Sequence, residues 1–186
     1  HLPEQCAAML QGLHRVVLQL LRFPVPVLVA VRGQCLGAGL ELAMTGHLLF
    51  ASPDARLGQP EIKLGVFAPA ASCLLPLRIA RMAAEDILLS GRSLGVEEGR
   101  RAGLVAEIAD DPEAAALAWY DSHLAGLSAS SLRFAVQAAR EDFWAQAQRR
   151  LAEVEALYLQ RLMATHDAVE GLTAFIAKRP AAWQDQ

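Results

Sequence analysis

The order of apolar and polar residues predicts strands followed by helices along the first 110 residues. A helix is expected from Pro3 to Phe23, where apolar residues recur at helical spacing. The uninterrupted apolar run 26–31 predicts a buried strand that is covered on both faces. Further strands are expected at 47–52, from residue 56 and at 104–109, with helices at 39–45, 74–79, 83–90 and after Ser93, its expected N-cap. This alternation predicts an α/β fold.

The pattern changes at Pro112, after which the sequence carries no strand signal. Four helices are expected, at about 112–125, 129–144, 147–164 and 167–178. Two parts are therefore predicted, an α/β core over 1–110 and a helical region over 111–186 that packs on the core or makes subunit contacts. His14 and Arg15 fall between apolar positions of the first helix, and both are expected to face solvent.

The most informative stretch is the turn in which Gly37 and Gly39 flank Ala38, between a buried strand and a helix. Glycines at such a turn let the backbone approach a ligand closely, because no Cβ is in the way. The first N–H groups of the following helix have no intrahelical acceptor and carry the positive end of its dipole. This turn is therefore expected to receive negative charge.

Two acids accompany the turn, each among apolar or neutral neighbours. Glu41 lies in an otherwise apolar helix, and Glu61 follows Pro60 in a loop. Backbone N–H groups beside two carboxyls suit chemistry next to a thioester carbonyl, since the amides stabilise an enolate and the carboxyls move protons or position water. Burial and mutual repulsion would raise the pKa of at least one carboxyl. The small apolar segment 64–71, with Phe67 and Ala68, suits the lining of a substrate pocket.

Simpler interpretations stand beside these. Glu41 fits a buried acid paired with an arginine such as Arg32 or Arg56, and Glu61 fits an exposed loop acid. Gly37 and Gly39 also suit tight packing of a helix on a strand, which does not exclude a role in binding an oxyanion.

Composition narrows the classes of function. The chain has 186 residues and a net charge of −3, so it offers no basic surface for nucleic acid. No apolar run is long enough to span a membrane, and no signal peptide is visible. The three cysteines and five histidines show neither a disulfide framework nor metal-ligand spacing, which predicts reduced thiols, a cytoplasmic location and no metal site. A dinucleotide fingerprint, a P-loop and a serine-nucleophile elbow are all absent from the sequence.

The residues around the turn resemble the enoyl-CoA hydratase/isomerase (crotonase) superfamily. The resemblance rests on Val31–Ala43 and Leu57–Gly65, and it continues through Gly91–Val105 and Asp167–Arg179. It implies a crotonase-type β-spiral of ββα units with an all-helical C-terminal region for oligomerisation, as a homotrimer or a dimer of trimers. Within the family, the turn together with residues 66–72 is most similar to hydratases of cyclic dienoyl-CoA.

The resemblance also implies roles for individual residues. Ala38 matches the second N–H donor of the oxyanion hole, beside Gly37, and Glu41 and Glu61 match the two hydratase glutamates. Phe175 and Lys178 match positions that contact coenzyme A, often in a neighbouring subunit's site. Without the resemblance, Phe175 fits a core position, and Lys178–Arg179 fits a solvated helix end. Coenzyme A is expected only as part of the substrate, with no separate cofactor.

Two departures from the family pattern leave other functions open. The first strands of the family and the loop with the first oxyanion N–H would precede His1, and Ala68–Ser72 replaces a glycine-rich turn that helps to hold water. Pro69 cannot donate a hydrogen bond there. The sequence favours a hydratase of an α,β-unsaturated acyl-CoA, with an enoyl-CoA isomerase or a non-catalytic acyl-CoA-binding subunit as alternatives.

Overall fold

The computed structural model describes residues 3–186, with side chains described from Cys6 onwards. Residues 1 and 2, the beginning of the predicted α/β part, lie outside the described range. The strands are β1 (Leu28–Val31), β2 (Gln34–Leu36), β3 (Leu48–Ala51), β4 (Arg56–Gly58), β5 (Ser93–Gly95) and β6 (Glu107–Ile108). The helices are α1 (Pro3–Leu21), α2 (Ala38–Ala43), α3 (Pro69–Arg78), α4 (Arg81–Ser90), α5 (Val96–Ala102), α6 (Pro112–His123), α7 (Ala129–Gln160) and α8 (His166–Ile176), with 3-10 helices at Pro60–Leu64 and Leu162–Ala164.

The first four strands alternate between two sheets. One sheet has the order β1-β3-β6 and is parallel, and the other has the order β2-β4-β5, with β2 parallel and β5 antiparallel to β4. Each repeat contributes one strand to each sheet before a helix follows, as in β1-β2-α2 and then β3-β4 with the 3-10 helix Pro60–Leu64. This is the mixed α/β spiral that the sequence predicts.

The sheets and the helices share one core. Leu49, Ala51 and Leu57 from the strands are buried together with Leu74 and Leu75 of α3. Ala147 and Leu151 of α7 belong to the same cluster, so the helical region packs directly on the α/β part. The division of the chain near residue 110 stays a prediction about its organisation.

Several predicted elements are wrong in extent. The two helices expected at 129–144 and 147–164 form the single helix α7 up to Gln160. At the expected break, Ala147 is buried in the core and Gln146 donates to Asp142 at 2.6 Å along the helix. Helix α3 begins five residues before the predicted start, since Pro69 suits the first helical position. The short strand β2, between Gly33 and Gly37, was not predicted.

Other expectations fail because strand pairing overrides local signals. Ser93 is not an N-cap, since it pairs with Gly58 in β5 and the helix α5 begins after Gly95. The strand expected at 104–109 is limited to the two residues that pair with β3. All four residues of β1 are half-buried at the edge of its sheet, where Val29 and Val31 pack against the core and α6 packs on the strand.

His14 was expected to face solvent, and this is also wrong. Its side chain is buried between α1 and α7, and its Nδ1 lies 2.5 Å from Oε2 of Glu155. Arg15, the next residue, is exposed as expected. The contact with Glu155 joins residues 141 positions apart, which the helical pattern of α1 alone does not reveal.

Candidate active site

The turn at Gly37 joins β2 to α2 and is fixed by hydrogen bonds on both of its peptide groups. Gly37 has φ +55° and ψ −129°, a conformation that side-chain-bearing residues rarely adopt. Its N–H donates to the carbonyl of Gly58 at 3.0 Å, and its carbonyl accepts the N–H of Glu41 at 3.0 Å. Ala38 is the first residue of α2, so its N–H has no intrahelical acceptor, and the residue is exposed.

Glu41 points from α2 to the beginning of α3. Its side chain is buried, and its Oε1 accepts the N–H of Ala71 at 2.8 Å. Burial raises the pKa of Glu41 to about 7; the N–H of Ala71 opposes this rise, and the negative charge of Glu61 adds to it. The carboxyl therefore changes its protonation near neutral pH, which suits a group that exchanges protons.

Glu61 reaches the same turn from the other side. It lies in the 3-10 helix Pro60–Leu64, and its Oε1 is 2.6 Å from the place where a Cβ on Gly37 would stand. Because Gly37 has no Cβ, the carboxyl of Glu61 can occupy this space. The side chain is half-buried, and burial raises its pKa. Its Oε2 is buried and has no hydrogen-bond partner among the described residues.

These positions rule out the simpler interpretations of the two acids. Arg32 donates to Asp111 at 2.8 Å and to the carbonyl of Asp110, and no ion pair among the described residues joins Glu41 to Arg32 or to Arg56. Glu41 is held by a backbone N–H instead. Glu61 is not an exposed loop acid, because it turns inward against Gly37. The structure therefore brings Gly37, Ala38 and both glutamates together, as the sequence analysis proposed.

Gln59 is a site residue beyond those expected from the sequence. Its side chain is 1% exposed, and its Nε2 donates to the carbonyl of Gly37 at 3.3 Å. Its Oε1 is buried without a hydrogen-bond partner among the described residues. The feature of the sequence that points to Gln59 is its position as a polar residue between the buried strand β4 and Pro60. Burying a polar side chain there costs free energy unless it has a hydrogen-bond partner.

Phe67 and Ala68 lie on the segment that joins Glu61 to α3. Ala68 is buried, and Phe67 packs edge-to-face on Tyr158 with ring centroids 5.3 Å apart. Burial raises the pKa of the Tyr158 hydroxyl, and Cys6 and the charges of Glu61 and Glu41 add to this rise. Pro69 is the first residue of α3, where its missing N–H costs nothing. Contact of Phe67 and Ala68 with substrate stays a prediction.

Phe175 and Lys178 lie at the end of α8, and the structure does not bring them to the two glutamates. Phe175 is 62% exposed, so its interpretation as a core residue is wrong. Lys178 has φ +52° and lies just after the end of α8. Its N–H donates to the carbonyl of Phe175, and the N–H of Arg179 donates to the carbonyl of Ala174. The side chain of Arg179 is paired with Glu170 at 2.6 Å. Contact of Phe175 and Lys178 with coenzyme A stays a prediction.

Three further features bear on the function of the chain. Among the side chains that are described, from Cys6 onwards, no group of three or more metal-ligating residues is close enough to hold an ion. Within residues 3–186, no helix is both long and apolar enough to cross a bilayer. A groove of about 480 Å³ between the end of α1 and α7 contains none of the candidate site residues; it is lined by Arg22, Phe23, Arg133, Phe134, Arg140 and Trp144, among others.

Comparison with known proteins gives one consistent result. Residues 3–186 match the family described as enoyl-CoA hydratase/isomerase. The chain is 62% identical over 186 residues to cyclohexa-1,5-dienecarbonyl-CoA hydratase of Thauera aromatica, an alignment that covers all of this chain and 72% of that protein. It is 39% identical over 159 residues to a probable enoyl-CoA hydratase of Mycobacterium leprae, covering 83% of this chain and 60% of that protein.

A solved structure shows the same fold at low sequence identity. The crystal structure of a putative enoyl-CoA hydratase from Mycobacterium avium paratuberculosis superposes with a TM-score of 0.87 at 20% identity, over 98% of this chain and 72% of the other. This similarity concerns the fold alone. The chain therefore has relatives that are longer than itself, and it matches them along nearly all of its own length.

Proposed function

The chain belongs to the enoyl-CoA hydratase/isomerase family, and we propose that it adds water to an α,β-unsaturated acyl-CoA thioester, by preference a cyclic dienoyl-CoA. The observation that carries this proposal is the meeting of two carboxyls, Glu41 and Glu61, at the turn of Gly37 and Ala38. The preference for a cyclic dienoyl group is supported by the name of the Thauera aromatica relative.

In the proposed reaction, the N–H of Ala38 donates to the thioester oxygen and stabilises the enolate as negative charge develops there. One of the two glutamates removes a proton from water while the water oxygen bonds to the substrate. The other glutamate delivers a proton to carbon, so that water is added across the unsaturated system. The raised pKa values of Glu41 and Glu61 support this exchange, since each carboxyl holds a proton at a higher pH than an exposed acid does.

The proposed substrate contacts extend beyond the two acids. Phe67 and Ala68 lie on the segment that joins Glu61 to α3 and would line the acyl pocket, whereas Phe175 and Lys178 would contact coenzyme A across a subunit boundary. The exposed apolar residues Val169, Phe175 and Ile176 on α8 support self-association of this helix. A homotrimer or a dimer of trimers is the proposed assembly, which native mass measurement tests.

The decisive experiment supplies cyclic dienoyl-CoA in ¹⁸O-labelled water. A hydratase gives a product that carries one labelled oxygen. An isomerase gives a rearranged product without label, and a non-catalytic binding subunit gives bound but unchanged substrate. Either of these two results overturns the proposal.

The roles of the two acids are tested with Glu41→Gln and Glu61→Gln. Each change removes proton transfer but keeps the shape of the side chain, so kcat is expected to fall by about 10²- to 10⁴-fold with an unchanged circular dichroism spectrum. Glu113→Gln, at an exposed position of α6, is the matched control and should retain wild-type turnover. Wild-type rates in both site variants would refute the assignment.

A further inference from the structure

The turn that follows α2, residues 44–47, is held by two arginine side chains from other helices. Arg78 of α3 donates from Nη1 to the carbonyls of Met44 and Gly46, both at 2.6 Å, and from Nη2 to that of His47 at 3.4 Å. Arg140 of α7 donates to the carbonyl of Thr45 at 2.9 Å and to that of Gly46 at 2.7 Å. The two guanidinium groups therefore bind every carbonyl from residue 44 to residue 47.

These two arginines have no carboxylate partner among the described residues. Burial lowers the pKa of Arg78, and burial together with the charge of Arg78 lowers the pKa of Arg140 to about 10. A charge in this situation needs strong acceptors, and the carbonyls of the turn supply them through charge-assisted hydrogen bonds. The positions of the two guanidinium groups are thus tied to the end of α2.

The beginning of α2 is held as well. Gly37 is fixed by the carbonyl of Gly58 and by the side chain of Gln59. Helix α2 has only six residues, so its own hydrogen bonds cannot keep it rigid. Burial of Leu40 and Ala43 in the core holds α2, and the groups at its two ends add to this hold. One of these groups, Arg140, comes from the helical region 95 positions beyond Thr45.

We infer that Arg140 is a positioning residue, which couples α7 to the active-site helix and keeps Ala38 and Glu41 in the geometry required for turnover. The inference rests on the proposed hydratase function for its kinetic part only. Arg140 contacts none of the candidate catalytic residues, so it acts through the backbone of α2. Its fork of two donors is essential, because the carbonyls of Thr45 and Gly46 are bound by different nitrogens of one planar group.

The experiment compares Arg140→Ala and Arg140→Lys with the control Arg133→Ala in the full chain. Arg133 lies two turns earlier on α7 and lines the same groove as Arg140, but its side chain is exposed. Amide hydrogen exchange is measured for residues 38–46, and kcat and KM are measured with cyclic dienoyl-CoA. Guanidinium chloride at low millimolar concentration is then added to the alanine variant.

Arg140→Ala is expected to speed exchange in 38–46 and to lower kcat by about tenfold or more, with KM unchanged, since a small misplacement of catalytic groups is costly. Guanidinium should restore part of both values. Arg140→Lys keeps the charge but loses the planar pair of donors, so its exchange rate in 38–46 and its kcat should lie between those of wild type and Arg140→Ala. The control should match wild type in every measurement.

Wild-type exchange and wild-type kcat in Arg140→Ala would overturn the inference. A loss of kcat that is no larger than the fraction of unfolded protein, and that guanidinium does not rescue, would also overturn it. If the alanine variant does not fold, Arg140→Lys decides by the same criteria. A wild-type protein without hydratase activity would refute the proposed function, while the exchange measurement would still test whether Arg140 holds α2.

Discussion

The carboxyl of Glu41 accepts the backbone N–H of Ala71 at 2.8 Å, which ties α2 to the first turn of α3. The residue before α3, Ala68, has no side chain that can cap the helix, and the distant carboxyl takes that place. The N–H favours the ionised form, but burial outweighs it, and the pKa of Glu41 rises to about 7. One contact therefore serves both helix capping and the tuning of a proton-transfer group.

The pH dependence of turnover should report this group. The profile of kcat/KM is expected to show an apparent pKa near 7 from Glu41, because the carboxyl gains or loses its proton there. In Glu41→Gln, the remaining activity should lack this inflection. Measurement of initial rates across pH 5 to 9 provides the test, and an unchanged inflection in the variant would assign it to another residue.

Stability should depend on the same proton with a defined sign. The pKa of Glu41 is raised in the folded chain, from 4.5 to about 7, so its contribution to stability is present below pH 4.5 and is lost as pH rises through 7. Glu41→Gln keeps an acceptor for Ala71 but cannot ionise. The free energy of unfolding of this variant, relative to wild type, is therefore expected to increase from pH 4.5 to pH 7 in urea denaturation. A constant difference across this range would contradict the raised pKa.

Gly37→Ala should abolish most of the activity. A Cβ at this position would lie 2.6 Å from Oε1 of Glu61, and φ is +55°, so both the carboxyl and the turn must move. We expect kcat to fall by about 10²-fold, as for a misplaced catalytic group. Gly33→Ala is the control, because Gly33 has a similar φ of +58° with open space around it. An equal loss in both variants would indicate backbone strain and not displacement of Glu61.

Gln59→Leu should separate activity from stability. The change removes the donor to the carbonyl of Gly37, worth about 1 kcal/mol, but it also removes a buried oxygen that lacks a partner, whose burial costs about 1–3 kcal/mol. Stability is therefore expected to be equal or higher, while kcat falls because the turn of Ala38 is less constrained. Thermal unfolding and steady-state kinetics test this pair of expectations, and a parallel loss of both would contradict it.

Gly171→Ala should loosen the packing of α8 against the 3-10 helix Pro60–Leu64, which carries Glu61. A Cβ on Gly171 would lie 2.1 Å from the carbonyl oxygen of Leu64, at the end of the 3-10 helix that carries Glu61. A loss of about 1–3 kcal/mol in the free energy of unfolding is expected, since backbone must shift. Gly12→Ala, where a Cβ meets no atom within 4 Å, should instead stabilise α1 by about 0.5–1 kcal/mol. Equal effects of the two changes on unfolding would be inconsistent with this contact.

Local signals in the sequence predicted most elements but not their limits. The apolar run before Gly33 and the spacing of leucines in α1 gave the correct element types, because these patterns depend on neighbouring residues only. Ser93 and Gln146 were misinterpreted for two different reasons. Ser93 pairs in a strand with Gly58, which is distant in the chain, and Gln146 lies in a continuous helix whose next residue, Ala147, is buried in the core.

The candidate site divides in the same way. The sequence alone determined the α/β class, the family, the glycine turn and the choice of Glu41 and Glu61, because a backbone that admits a ligand and acids in apolar surroundings are recognisable within short segments. Only the tertiary structure decided that Ala71 is the donor to Glu41, that Gln59 supports Gly37 and that Arg140 holds the end of α2. The physical reason is that a hydrogen bond depends on distance and direction in space, and residues 30 or 95 positions apart in the chain acquire these only when the core packs.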